Sequence, residues 1–207
     1  MRIPLILLAF LTSFTLNAQK DASAKAILDQ MGAKVKDSKG ILASIQMVSK
    51  NSQGKAMGTK QIGLKMKGDK YYLKQGLMEI LCDGKIIYNF DGANTISKSS
   101  VAESDQTLSP QKLLAGNYDK DFNYNLLGQT SSNATIELVP LDKRKSFQKV
   151  TLVIDKLKSA LSSASILDKS NNSTLVKVLS INYNAVLADN LFLFNRDKYP
   201  KNVEIFD

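Results

Sequence analysis

The chain has 207 residues, with 28 Lys and Arg against 19 Asp and Glu, no His, no Trp and a single Cys. The lack of His excludes imidazole-based catalysis and His-containing metal sites. One Cys can form neither an internal disulfide nor a Cys-rich metal site. An apolar share of 43% and a mean hydropathy of −0.15 are typical of a globular domain, and the net charge of +9 raises the question of a nucleic-acid partner.

The first residues have the pattern of a secretory signal peptide. Arg2 gives a positive start, an apolar stretch follows, and Ala18 is the small residue at the expected cleavage point. An uncleaved anchor is the weaker alternative, because the apolar run is shorter than the roughly 20 residues that a bilayer span needs. We therefore expect residues 1–18 to be a signal peptide, residues 19–207 to form one domain, and the protein to work in the periplasm.

Export of the protein changes which binding partners its positive charge favours. Without Arg2, 27 basic residues remain against 19 acidic ones, a net charge of +8. An exported protein is not expected to bind nucleic acid, whereas anionic lipid head groups and acidic protein surfaces remain as partners. Lys143-Arg144-Lys145 is the densest basic cluster and would serve as a docking site or as a solvated turn. We expect at most transient contact with a membrane surface.

One amphipathic helix is predicted at the start of the mature chain. Asp21 or Ser23 can cap its start and a glycine ends it, so we expect a helix over 22–39. A second, short helix is predicted over 110–116, with Ser109 at the N-cap and a proline in the first turn. The three- and four-residue spacing of one apolar stripe defines the first helix. The stripe consists of Ala24, Ile27, Leu28, Met31 and Val35.

From residue 41 onward, apolar residues alternate with polar ones, and turn signals divide the chain into short strands. A sheet of this size curls. We therefore predict a mainly β fold with an α lid, a single half-open antiparallel barrel of about eleven strands covered by short helices. Such an arrangement leaves an apolar cavity between sheet and helices. The predicted strands are 41–50, 57–67, 70–75, 77–82, 85–90, 93–98, 121–128, 134–139, 146–155, 160–168, 174–183 and a short one near 191–195.

Five segments carry a family resemblance in the same order along the chain: residues 21–29, 64–73, 79–88, 108–110 and 191–205. They resemble five features of the periplasmic outer-membrane lipoprotein carriers of the LolA type. In chain order these features are the first helix, the L-x-L-K-G-D-K-Y-x-L strand pair, the I-x-S-D-G-K-x-x-W hairpin, the lead into the lid helix and the C-terminal ending. In the hairpin, Cys82 replaces Ser and Tyr88 replaces Trp.

The resemblance implies an apolar cavity for the acyl chains of lipoprotein cargo. It implies receipt of that cargo from an inner-membrane ABC release complex and delivery to an outer-membrane acceptor. Many family members carry an Arg-Pro pair whose Arg ties the lid to the sheet, whereas this chain has Lys67-Gly68-Asp69. We expect a divergent branch, or a lid that closes by apolar contact. We expect a monomer without a cofactor and without enzyme activity, because no catalytic signature surrounds the carboxylates.

Acyl chains bind by leaving water, at about 0.8 kcal/mol per buried CH₂, so a carrier needs a large apolar wall. We predict this wall and its lid contacts from the alternating positions, although each residue would serve equally as core. Leu64→Glu should abolish cargo binding if Leu64 lines the cavity, and unfold the protein if Leu64 is core. The predicted residues are Leu28, Met31, Val35, Ile62, Leu64, Met66, Tyr71, Leu73, Ile86, Tyr88, Phe90, Leu113, Leu114, Val150, Leu152 and Ile154.

Three alternatives to a lipoprotein carrier remain open on the sequence. The first is a carrier of another amphiphile, such as a glycolipid or a phospholipid. The second is a regulatory module of similar fold that senses lipoproteins; that class usually has an extra C-terminal domain, which we do not expect after Asp207. The third is an exported β-protein with a filled core.

Overall fold

Twelve strands form one sheet in the computed structural model, which describes residues 20–115 and 118–207. The strands are β1 (Ile41–Lys50), β2 (Ala56–Lys67), β3 (Lys70–Gln75), β4 (Met78–Cys82), β5 (Ile86–Phe90), β6 (Thr95–Ser100), β7 (Phe122–Gln129), β8 (Asn133–Pro140), β9 (Phe147–Asp155), β10 (Ala160–Asp168), β11 (Ser173–Asn182) and β12 (Glu204–Phe206). Their order is β12-β6-β5-β4-β3-β2-β1-β11-β10-β9-β8-β7, and only the pair β12–β6 is parallel. The sheet does not close, which confirms the predicted half-open barrel. The predicted signal peptide lies outside the described residues.

The first two helices begin where the sequence predicts them, and a third, short helix was not predicted. The side chain of Asp21 caps the first helix by accepting from the backbone N–H groups of Ser23 and Ala24 at 2.7 and 3.0 Å. Ser109 Oγ caps the second by accepting from the backbone N–H of Lys112 at 3.2 Å. The helices are α1 (Ala22–Lys36), α2 (Pro110–Ala115) and α3 (Tyr118–Asp121). Among the described residues, no helix is long and apolar enough to cross a bilayer.

The main core lies between α1 and the inner face of the sheet, defined as the face that α1 covers. Leu28 and Met31 of α1 are buried at 1% and 0% exposure. They belong to one apolar cluster with Ile136 of β8 and Leu152 of β9, both fully buried. Because α1 lies over β7 and β10, its apolar stripe fills that half of the half-barrel.

A second, smaller core lies on the outer face. We call residues 185–203 the C-terminal strap, because they run across the outer face of β3–β6. Phe194 of the strap stacks on Tyr88 with ring centroids 4.3 Å apart, and Tyr199 meets Phe90 edge-on at 5.1 Å. The strand expected near 191–195 is therefore wrong. Its apolar side chains pack on a sheet face instead of joining an edge, and the last strand is β12.

Candidate functional site

A cavity of about 520 Å³ lies between the inner face of β3–β6 and residues 101–112. We call this cavity the trough. Strand register brings its apolar floor together, because Leu73 lies opposite Ile80, and Tyr71 lies opposite Cys82, which in turn lies opposite Ile87. The volume falls within the roughly 300–1,000 Å³ of small-molecule sites. A hollow of about 80 Å³ next to it shares Leu73 and Ile80.

The floor of the trough is electrically neutral. Burial raises the pKa of Tyr71 to about 12, and burial also raises the pKa of the Cys82 thiol. Both groups therefore stay protonated at neutral pH, and the thiol behaves as a small apolar side chain. Such a floor suits a hydrocarbon chain better than an ion.

The margin of the trough next to β6 is polar but uncharged. Asn89, Ser97 and Ser99 occupy the inner-face positions that follow the apolar floor across the sheet. Across the cavity, Ser104 Oγ lies 2.9 Å from Ser99 Oγ, and Thr107 Oγ1 donates to the Ser104 carbonyl at 2.9 Å. The trough thus offers an apolar floor and hydroxyl and amide groups along one side, and two charged residues, Asp69 and Lys112, also line it.

We call residues 101–115, which cover the trough and include α2, the lid. A side-chain hydrogen bond, which we call the tie, joins the lid to the sheet. Gln111 Nε2 donates to Asp69 Oδ1 at 2.5 Å. Asp69 lies in the β2–β3 turn, where Gly68 adopts a φ of +57° that favours glycine. Leu113 adds apolar packing against the core. The lid is therefore held by apolar contact, one of the alternatives that the sequence left open, and also by a side-chain hydrogen bond that the sequence did not reveal.

A second hollow, of about 560 Å³, lies among α1, α2 and α3 and has more charged walls. Lys25 of α1 pairs with Asp119 of α3 at 2.6 Å and with Asp29 at 2.9 Å. The Lys25 ammonium and the Tyr124 hydroxyl hold the pKa of the Asp119 carboxyl below its usual value. Because this ion pair connects helices, the trough is the better candidate for a binding site. Among the described residues, no cluster of three or more Cys, Asp or Glu side chains has the arrangement of a metal site.

The structure brings thirteen of the sixteen predicted wall and lid residues to the inner face or the helices over it. Tyr71 and Leu73 line the trough, and Ile62 lines the hollow beside it. Leu28 and Val35 contact the hollow among the helices. The others lie within or against the packed core: Met31, Leu64, Met66, Leu113, Leu114, Val150, Leu152 and Ile154.

Three predicted wall residues lie on the opposite face from the trough. Ile86, Tyr88 and Phe90 share the outer face of β5, and the aromatic pair packs against the C-terminal strap. The inner-face residues of this strand are Ile87 and Asn89. Apolar residues occupy both faces of β5, so alternation alone did not distinguish its faces.

The trough residues that the sequence analysis missed follow from strand register. Two of them lie directly opposite predicted wall residues, Ile80 opposite Leu73 and Cys82 opposite Tyr71. The third, Ile87, lies opposite Cys82 on the next strand. Counting register through the β3–β4 and β4–β5 turns from Leu73 would have found them, because a pair across an antiparallel ladder shares a face.

A family model described as outer membrane lipoprotein carrier protein LolA matches residues 72–195, more than half of the chain. The chain belongs to the LolA family. Its fold is similar to that of an uncharacterized conserved protein from Thermus thermophilus, with a TM-score of 0.58 and 14% identity over 88% of this chain and 98% of that one.

Two further solved structures align with this LolA-family chain at lower scores. A LolA superfamily protein from Nitrosomonas europaea has a TM-score of 0.49 and 13% identity, over 85% of this chain and 99% of that one. Lipoprotein LppX from Mycobacterium tuberculosis has a TM-score of 0.48 and 18% identity, over 82% and 100%. At such identities a structural likeness concerns the fold alone. No curated protein matches the chain.

Proposed function

We propose that this LolA-family protein is a periplasmic carrier of lipoproteins, not an enzyme. It holds their acyl chains in the trough, receives them from an inner-membrane ABC release complex and delivers them to an outer-membrane acceptor. The observation that carries the proposal is the neutral, apolar floor formed by Leu73, Ile80 and Ile87 under a lid, in a chain of this family.

The energetics of the trough suit a carrier that must release its cargo. Each CH₂ group that leaves water contributes about 0.8 kcal/mol, so even part of an acyl chain is held by several kcal/mol. The lid is tied by the hydrogen bond from Gln111 to Asp69, and a bond of this kind contributes only about 1 kcal/mol. This hydrogen bond is therefore weak compared with cargo binding, and it would not by itself prevent transfer to a tighter acceptor.

The experiment that tests this proposal measures release of acylated lipoprotein from inner-membrane vesicles that contain the ABC release complex. Adding the protein and ATP should move the lipoprotein into the soluble fraction as a stoichiometric complex. The matched control is the same cargo with its lipidated Cys replaced by Ala, which should not bind. Absence of release, or equal binding of the two cargo forms, would contradict the proposal.

A second candidate function is the carriage of another amphiphile. The polar margin formed by Asn89, Ser97 and Ser99 favours it, because a sugar or glycerol head group would find hydrogen-bond partners there. Transfer of a fluorescent glycolipid or phospholipid between vesicles, at a rate that acylated lipoprotein cannot inhibit, would support this second function over the first.

A further inference from the structure

One end of the half-barrel exposes two apolar side chains. Leu157, in the β9–β10 turn, is 82% exposed, and Val186, in the loop after β11, is 95% exposed. An exposed apolar residue by itself is ordinary. These two are different because Leu157 lies between two lysines, Lys156 and Lys158, and because the segments that carry Leu157 and Val186 are joined.

Lys34, in the last turn of α1, connects the two segments. Its ammonium group donates to the backbone carbonyl of Lys158, and it lies 4.7 Å from the ring centroid of Tyr183. Gly40, at the entrance to β1, accepts at 3.0 Å from the backbone N–H of Ala185, next to Val186. We call this surface the basal patch. It consists of Leu157, Val186, Lys34, Lys36, Lys39, Lys156 and Lys158.

The basal patch has an excess of positive charge. The segments 34–39, 155–158 and 183–187, which form it, carry five lysines and two carboxylates, those of Asp37 and Asp155. Asp155 accepts from the backbone N–H of Lys158 at 3.0 Å and pairs with its ammonium at 3.4 Å. Lys36 and Lys39 are exposed. A net positive surface with protruding apolar side chains has the chemistry of a lipid interface.

The basic cluster that is densest in the sequence has a different character. Lys145 is 5% exposed, and Arg144 forms a two-pronged contact with Asp142 at 2.9–3.2 Å. The charge of Arg144 is therefore paired within its own turn, and that of Lys145 is buried, so the cluster Lys143-Arg144-Lys145 presents less positive charge to a partner than its sequence indicates. That turn also carries Leu141, which is only 47% exposed.

We propose that the basal patch docks the protein on the surface of an anionic lipid bilayer. Leu157 and Val186 enter the boundary between head groups and acyl chains, and the lysines contact the anionic head groups. Asp69 and Gly84, which line the trough, lie in turns at the same end of the sheet. Docking therefore brings the trough close to the bilayer. This inference goes beyond the proposed function, because docking requires no cargo.

The test is co-sedimentation of the protein, recovered from the periplasm of an expressing bacterium, with lipid vesicles. The wild type should bind vesicles of phosphatidylethanolamine with phosphatidylglycerol, and not vesicles of phosphatidylcholine alone. The double variant Leu157→Ser/Val186→Ser should lose at least about tenfold in vesicle affinity. The double variant Lys36→Gln/Lys39→Gln should lose about fivefold per lysine at low salt, and less at high salt.

The matched controls lie near the opposite end of the sheet. Leu77, 74% exposed in the β3–β4 turn, supplies Leu77→Ser, and exposed lysines supply Lys55→Gln/Lys60→Gln. Both controls should bind as the wild type does. No binding by the wild type, equal losses in patch and control variants, or capture of a protein but not of vesicles would overturn the proposal. Vesicle binding without lipoprotein release would instead overturn the proposed function and leave docking intact.

Discussion

At the scale of single residues, Ile80 tests whether the trough binds acyl chains. It lies between Leu73 and Asn89 in the register of the floor and is only half-buried. In Ile80→Glu the empty trough can hydrate the carboxylate, but a bound acyl chain would have to desolvate it. We expect affinity for a fluorescent fatty acid to fall by at least about 100-fold, with little change in melting temperature. Retention of binding would contradict the assignment of the trough.

Leu64→Glu is the control that separates core from trough. Leu64 is 1% exposed within the main core cluster. A carboxylate there has no partner and no water, so we expect a loss of at least about 3 kcal/mol in the free energy of unfolding. Urea denaturation measures this loss. Of the two outcomes that the sequence left open for Leu64, the structure therefore favours unfolding.

Tyr88 provides the corresponding test on the outer face. Its ring stacks on Phe194, whereas the sequence pattern placed it on the cavity wall. We expect Tyr88→Ala to lower the free energy of unfolding by about 2 kcal/mol through lost packing, with unchanged affinity for acyl ligands. Weaker acyl binding without loss of stability would instead support the original prediction for Tyr88.

At the scale of elements, the tie between α2 and the β2–β3 turn sets how readily the lid opens. Gln111→Ala removes the donor that Asp69 accepts from. We expect acyl ligands to associate and dissociate up to about fivefold faster, because roughly 1 kcal/mol of lid stabilisation is lost. Stopped-flow fluorescence measures both rates. Gln111→Asn, which is too short to reach in the same geometry, should behave as the Ala variant does, and unchanged rates in both would contradict the tie.

The C-terminal strap should show a pH dependence through Glu79. Burial disfavours its charge, but hydrogen bonds from Lys74, Tyr72 and Tyr199 outweigh burial and keep the pKa of the carboxyl below its ordinary value. A pKa lowered by folding stabilises the protein above the unfolded value of about 4.3, and this contribution is lost as pH falls through the folded value. The melting temperature of the wild type should therefore exceed that of Glu79→Gln between pH 5 and 8 by an amount that shrinks below about pH 4. A constant difference would contradict this role.

Local signals predicted the elements better than they predicted which face a strand presents. Asp21 and Ser109 cap helices as expected, because a cap depends on a few neighbouring residues. The face of β5 depends on register carried through two turns, and Ile86-Ile87 is apolar on both faces. Part of the C-terminal strap, near 191–195, was predicted as a strand because Leu191 to Phe194 form a continuous apolar run. No local signal in the sequence shows that this segment packs on the outer face of the sheet.

At the scale of the whole molecule, the two halves of the inner face are packed differently. The stripe of α1 covers the half over β7–β11, which gives the protein a packed core there. The half over β3–β6 has a short lid, held by apolar packing and one side-chain hydrogen bond, and keeps a cavity. Such a division would let a ligand enter and leave without unfolding of the core, as the proposed carrier function requires.

The most direct test of the carrier account is mass spectrometry of the ligands that co-purify with the protein from its native periplasm, wild type beside Ile80→Glu. The account predicts acylated lipoprotein on the wild type at close to one per chain, and its loss from the variant. A wild type that is reproducibly free of acylated ligands, or a variant that retains them equally, would contradict it.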